Sequence, residues 1–270
     1  MNYPPDQHLL RDLRFSFDHG TDPGRSRAWM PVVPELCTDQ GFARVGALAT
    51  LVDVIGGGLA AKAAAPNWIA TADLTLHLVR GAPSGAVVEA RAQLLRAGRT
   101  TVVMDVDLVD DHDREIGIAT MSFSVLPRRD SNPDMDDVRN AGPSTMATEA
   151  SRLAVPLVDA LAVRVQDAGA GAIEVPVTDW TRNSMGAMQG GVVAMVTELA
   201  AETALRAAAS APLVIADLEL TYLGFGRVGP VCSQVTRLDD RAVTVELFDT
   251  GAENRRMTVA RAGATTGLAS

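Results

Sequence analysis

Gly41-Phe-Ala-Arg-Val-Gly-Ala-Leu-Ala-Thr-Leu-Val-Asp53 and Gly186-Ala-Met-Gln-Gly-Gly-Val-Val-Ala-Met-Val-Thr-Glu198 are two versions of one stretch. Gly41 matches Gly186, Gly46 matches Gly191 and Asp53 matches Glu198, each 145 positions apart. Further on, Ala72-Asp73-Leu74 matches Ala216-Asp217-Leu218 and Gly85 matches Gly229, now 144 apart. An offset this steady, with a carboxylate recurring at one site, marks an internal duplication.

Each copy reads in the same order. A glycine-bearing turn leads into an alanine-rich helix, Gly46 to about Ala65 and Gly191 to about Ala209. Strand-like runs follow. In the first copy they are Trp68 to Val79, Ala86 to Arg96, Thr100 to Val109 and Glu115 to Leu126. In the second they are Leu213 to Leu223, Pro230 to Leu238, Ala242 to Asp249 and Arg256 to Ala264. Several alternate apolar with polar, as Val102 to Leu108 does, which suits a strand with one buried face. One helix followed by consecutive antiparallel strands is an α+β pattern. The helix is apolar nearly all round, so it needs cover on most sides, and a sheet wrapped around it supplies that. The stretch from Pro127 to about Ala150 is rich in Pro, Ser, Asp and Asn and reads as a linker. The expected division is 1–127, a linker over 128–150, and 151–270, with a short helix within Glu149 to Ala162 leading into the second unit.

Bulk composition narrows the function classes. The 270 residues carry a formal net charge of −9. That argues against nonspecific binding to nucleic acid or anionic membranes, which need a basic surface. Lys62 is the only lysine, so positive charge is almost all guanidinium. Cys37 and Cys232 form no CxxC, and His8, His19, His77 and His112 are scattered, so no metal site is expected. The first ten residues lack an apolar signal region, and no apolar run is expected to reach the roughly 20 residues of a membrane span. A soluble, cytoplasmic protein is the expectation.

Asp53 is out of place for an apolar helix. Aspartate is a poor helix former, and a buried carboxylate without partners is costly. Ala49, Thr50, Gly56 and Gly57, at helical spacing from it, are all small, so a ligand or another helix comes close there. Its alternative reading is a carboxylate on a solvated stripe. Glu198 has Glu202 one turn on, which makes a solvated stripe more natural in the second copy. Gly190-Gly191 opens the second helix, where free N–H groups and the helix dipole can hold a developing oxyanion. Such a pair can equally relieve crowding. The first copy has Val45-Gly46 in its place.

Asn183-Ser-Met-Gly-Ala-Met-Gln-Gly-Gly191 resembles the N-x-x-G-x-x-H-G-G turn of the PaaI-like hotdog thioesterases. Ala47 to Asp53 resembles the helix after that turn. Thr71 to Leu78 resembles the strand that carries a small hydroxyl residue, and Arg96-Ala-Gly-Arg99 resembles a turn between later strands. The resemblance spans roughly 38 to 126 and 175 to 265. It implies two tandem hotdog domains, each an antiparallel sheet wrapped around a central helix, paired as an intramolecular pseudo-dimer. It also implies sites between the two units, one unit giving acid and hydroxyl, the other the Asn and the turn amides.

Carried onto this chain, the resemblance implies an asymmetry. The first copy keeps Asp53 and Thr71 but has Thr38 where the second has Asn183. The second keeps Asn183, Gly190 and Gly191 but has Ile215 opposite Thr71. One composite site then retains its parts, while the other is left with Glu198, Arg44, Val45, Gly46 and Ile215. The family histidine is Gln189 in one turn and Arg44 in the other; glutamine donates a hydrogen bond but carries no proton at neutral pH. The implied activity is hydrolysis of an acyl-CoA thioester. Asp53 serves as general base or nucleophile, Thr71 positions the water or the acid, Gly191 and Gly190 polarise the carbonyl, and Asn183 and Gln189 orient the thioester. No metal or organic cofactor is needed, coenzyme A being part of the substrate. Arg96, Arg99, Arg128 and Arg129 are candidates for its phosphates. The resemblance leaves the oligomeric state open, with a homodimer of this double unit as one assembly it allows. The principal rival is a non-catalytic acyl-CoA-binding or regulatory double hotdog, favoured by the missing histidine. A hotdog hydratase is disfavoured because neither helix holds a histidine. A serine hydrolase is disfavoured because there is no G-x-S-x-G elbow.

Overall fold

The computed structural model describes residues 3–129, 143–208 and 213–269. In chain order the first half holds α1 (Leu9–Asp12), β1 (Ser16–Asp18), β2 (Arg25–Pro31), α2 (Val45–Ala64), β3 (Trp68–Leu78), β4 (Val87–Ala97), β5 (Thr101–Val109) and β6 (Glu115–Leu126). The second holds β7 (Ser144–Thr145), α3 (Leu157–Ala160), β8 (Arg164–Asp167), β9 (Ala172–Val175), α4 (Gly190–Ala208), β10 (Val214–Tyr222), β11 (Val231–Leu238), β12 (Ala242–Asp249) and β13 (Arg255–Thr265). The two central helices, α2 and α4, and eight long strands stand within one or two residues of their sequence-based bounds.

All strands form one antiparallel sheet in the order β7-β1-β2-β4-β5-β6-β3-β10-β13-β12-β11-β9-β8. The two halves of that order mirror each other about the β3–β10 join. There Thr75 pairs with Glu219, its own counterpart 144 positions on, so a pseudo-two-fold axis passes through this pair. His77 with Asp217 and Asp73 with Thr221 are the symmetric neighbours of that pair. The chain is thus a tandem hotdog, a sheet wrapped around α2 in one half and α4 in the other.

Burial follows the alternation. Along β5, Val102, Met104, Val106 and Leu108 are buried, while Asp107 is exposed. Leu48, Leu51, Ile55 and Leu59 of α2 are fully buried, as are Leu74 and Leu76 of β3. Burying such side chains stabilises the fold by roughly 1.5–3 kcal/mol each.

Four outer strands, β1, β2, β8 and β9, were not legible in the sequence. In β2 the inward positions are Ser26, Ala28 and Met30, too weakly apolar to announce a strand, and β8 is exposed throughout. The expected helix within Glu149 to Ala162 is confined to α3. Of the expected linker, 130–142 lies outside the described residues, while Ser144–Thr145 adds to the free edge of β1. One expectation needs correction. Val45–Ala64 is long and apolar enough to cross a membrane by length and composition. Its most apolar window is 83% buried inside the protein, because the sheet supplies the cover that lipid otherwise would.

Candidate active site

The two central helices meet at their N-terminal ends, and the glycines there follow from the closeness of that contact. A Cβ on Gly46 would lie 2.6 Å from Met195 Cα, and one on Gly191 would collide with Thr50. Gly46 and Gly191 are counterparts, as are Thr50 and Met195, so this is one contact repeated by the pseudo-two-fold. Both copies therefore keep that glycine. Gly190 answers to a different neighbour: a Cβ there would lie 2.8 Å from Asp53 Oδ2. At the counterpart of Gly190 stands Val45.

Asp53 is buried on α2 and partnered from both repeats. Thr71 Oγ1, on β3, donates to Asp53 Oδ1 at 2.8 Å. Gln189 Nε2, from the second repeat, donates to Oδ2 at 2.7 Å. The backbone of Gly191 lies close enough to lower the carboxyl's pKa. Gln189 is itself fixed, because its Oε1 accepts the Val192 N–H at 3.1 Å and so caps α4. Burial raises the Asp53 carboxyl to about 6, against the lowering effect of the Thr71 and Gly191 hydrogen bonds. The acid is ionised at neutral pH yet basic enough to accept a proton.

The turn before α4 is built to hold this geometry. Asn183 Oδ1 accepts the N–H of Met185 at 2.9 Å and of Ala187 at 3.1 Å. Gly186 takes a φ of +72°, as its counterpart Gly41 takes +80°. Asn183 thus braces the turn. In the first repeat Thr38 is too short for this bracing, and its hydroxyl is buried without a hydrogen-bond partner among the described residues.

The symmetric position is wired differently. Glu198 Oε2 accepts the Gly46 N–H at 2.9 Å, but its neighbour is a cation. Arg44 Nη1 lies 3.5 Å from Glu198 Oε1 and 2.7 Å from Glu202 Oε2. Arg206 bridges Glu202 to Asp39 of the first repeat. Glu202 is buried, which corrects the reading of a solvated stripe: it turns inward because Arg44 and Arg206 meet it. Burial pushes Glu198 up to about 7, with Arg44 pulling it down and Glu202 adding to the rise. Burial opposes the charge on Arg44, but Glu198 and Glu202 hold its guanidinium above its ordinary range. Ile215, opposite Thr71, offers no hydroxyl. Glu198 is thus no less basic than Asp53, but its oxygens meet a guanidinium and a backbone N–H where those of Asp53 meet a hydroxyl and an amide side chain, so the two positions differ in their partners as well as in sequence.

Arg96, Arg99, Arg128 and Arg129 are all exposed. They gather at the β4–β5 turn and the end of β6, where Val125 N–H bonds to the Thr100 carbonyl. Thr71 pairs with Phe123 on β6, so this end of the sheet is the one that holds Asp53. Gly56, one of the small residues near Asp53, is closed off by side-chain packing, since a Cβ there would collide with Met121. Two aromatic side chains that sequence reasoning did not single out touch the same turn. Trp68 Nε1 donates to Met185 Sδ at 2.8 Å, and Tyr222 Oη donates to the Gly190 carbonyl at 2.9 Å. Among the described residues no group of three or more His, Cys, Asp or Glu side chains is placed to hold a metal ion.

Residues 40–116 match the family model described as the thioesterase superfamily. No curated protein matches the chain. Among solved structures, an acyl-ACP thioesterase from Bacteroides thetaiotaomicron is similar over 89% of this chain and 98% of its own, at 10% identity and a TM-score of 0.62. A candidate thioesterase from Novosphingobium aromaticivorans is similar over 93% of this chain and 98% of its own, at 16% identity and a TM-score of 0.58. The E. coli PaaI protein is similar over 39% of this chain and 75% of its own, at 19% identity and a TM-score of 0.36.

Proposed function

From the premise that this chain has the fold of the hotdog thioesterases, in tandem, we propose that it hydrolyses acyl-CoA thioesters at the position between the repeats where Asp53 faces Gly191. The observation that carries this reading is the asymmetry of the two symmetry-related acids. Asp53 is held by neutral donors from both repeats, whereas Glu198 is paired with a guanidinium.

In this mechanism the thioester carbonyl enters between Asp53 and the start of α4. Asp53 takes a proton from a water as that water's oxygen attacks the carbonyl carbon. Charge builds on the carbonyl oxygen, which the Gly191 N–H receives at the positive end of the α4 dipole. Collapse of the tetrahedral species breaks the C–S bond and expels the CoA thiolate, which takes from Asp53 the proton that came from water. Thr71 and Gln189 hold the carboxylate, and Asn183 holds the turn. We assign Asp53 the base role because both its oxygens already accept hydrogen bonds, which suits holding a water better than direct attack. The exposed arginines near the β4–β5 turn suit the CoA phosphates.

The test is CoA release from short, medium, long and aromatic acyl-CoAs by wild type, Asp53→Asn and Glu198→Gln. Loss of activity by about 100-fold or more in Asp53→Asn, with activity kept in Glu198→Gln, is the expected result. Equal losses in both would defeat the single-site reading. Acyl-CoA binding without turnover by wild type would make the chain a binding protein, the reading favoured by a glutamine where the family turn has histidine.

A further inference from the structure

Tyr222 ends β10, and its hydroxyl donates to the Gly190 carbonyl at 2.9 Å. That carbonyl and the Gly191 N–H belong to one peptide unit. A hydrogen bond accepted by the oxygen of a peptide withdraws electron density from its nitrogen and strengthens the N–H as a donor. It also fixes the plane of the peptide and so the direction of the N–H. The phenol is suited to this task because it stays protonated: burial, and then the charge of Asp53, raise its pKa well above the usual tyrosine value.

The pseudo-symmetry supplies a control within the molecule. The counterpart of Tyr222, 144 positions earlier, is Leu78, which is buried and has nothing to donate. The hydroxyl is therefore present beside the turn that faces Asp53 and missing beside the turn that faces Glu198. The first repeat carries a buried leucine at this position.

We propose that Tyr222 is a positioning residue that orients and polarises the Gly191 amide toward the reacting carbonyl. The proposal rests on the hydrolase reading above for its catalytic consequence, but its physical content is a property of one peptide group.

Two measurements on Tyr222→Phe test it. The first is steady-state hydrolysis of the best acyl-CoA. The expected result is a kcat lower by about 10-fold with KM nearly unchanged, since a donor aimed at the developing oxyanion acts in the transition state. The second is the amide proton shift of Gly191 in ¹⁵N-labelled protein without ligand, expected to move upfield when the phenol is removed. A wild-type kcat, or a rise in KM alone, overturns the proposal. If wild type hydrolyses no acyl-CoA, the hydrolase reading fails by itself. The Gly191 shift then decides the matter: movement supports the proposal, and an unmoved resonance overturns it.

Discussion

Asp53 sets the pH behaviour of the molecule because burial holds its carboxyl near 6. The base must be ionised, so kcat/KM is expected to fall as pH is lowered through about 6, measured with a substrate whose own charge is constant there. Stability runs the other way. The folded carboxyl is raised above its unfolded value, so the folded state holds the proton more tightly. Ionised Asp53 therefore opposes folding above pH 6, and that penalty fades as pH drops from about 6 toward 4. Asp53→Asn is expected to stabilise the protein at pH 8 by roughly 1–3 kcal/mol and hardly at pH 4. Urea titrations at the two pH values check this, and equal effects at both would refute it. That Asp53, Gln189, Gly190 and Gly191 come together was legible from the duplication and the turn motif, and the nearness of Thr71 from the resemblance of its strand to a hydroxyl-bearing one. Tyr222 was hidden because its task depends on where β10 ends in space. The only trace in the sequence is a polar residue standing where the other copy has Leu78.

At the scale of the helix, neighbouring glycines answer to different causes. Gly56 lies against Met121 and Met104, and a Cβ there would collide with the Met121 sulfur. At Gly57 the nearest atom to such a Cβ is Phe123 Cε1 at 3.9 Å, an ordinary contact. Alanine is the better helix former, and Gly→Ala at an unstrained site gains about 0.4–1 kcal/mol. Gly57→Ala is therefore expected to raise Tm, and Gly56→Ala to lower it through overpacking of about 1–3 kcal/mol. Thermal melts of the two variants decide, and a loss in both would mean that Gly57 too is closely packed. The sequence revealed that α2 is crowded by something but not which partner fills which gap. Long alternating strands such as β5 were legible for the same reason that β2 was not: inward Val, Met and Leu announce a buried face, whereas inward Ser26 and Ala28 do not.

Across the whole molecule the duplication has left one contact in two chemical forms. Where the first helix meets the second turn, the acid faces a glutamine. Where the second helix meets the first turn, it faces Arg44, and that cation joins the repeats through Glu198 and Glu202. The side chains of Arg44 and Glu198 are 7% and 1% exposed, so water does not screen the pair. Removing one partner of such a pair leaves a charge buried and unpaired, which costs about 3–5 kcal/mol. Arg44→Ala is expected to lose that much at pH 8. Glu198 sits at about 7 even with Arg44 in place, and without the guanidinium it rises further. Its protonation in the folded state then removes the unpaired charge, so the loss is expected to shrink as pH falls below 7. Denaturant titrations of wild type and Arg44→Ala from pH 8 to pH 5 measure both quantities. A loss independent of pH would show that Arg44 acts through packing of its aliphatic stem. A loss that closes toward pH 5 would show that one of the two symmetric acids has become an electrostatic tie between the repeats, leaving Asp53 alone with the geometry of a base.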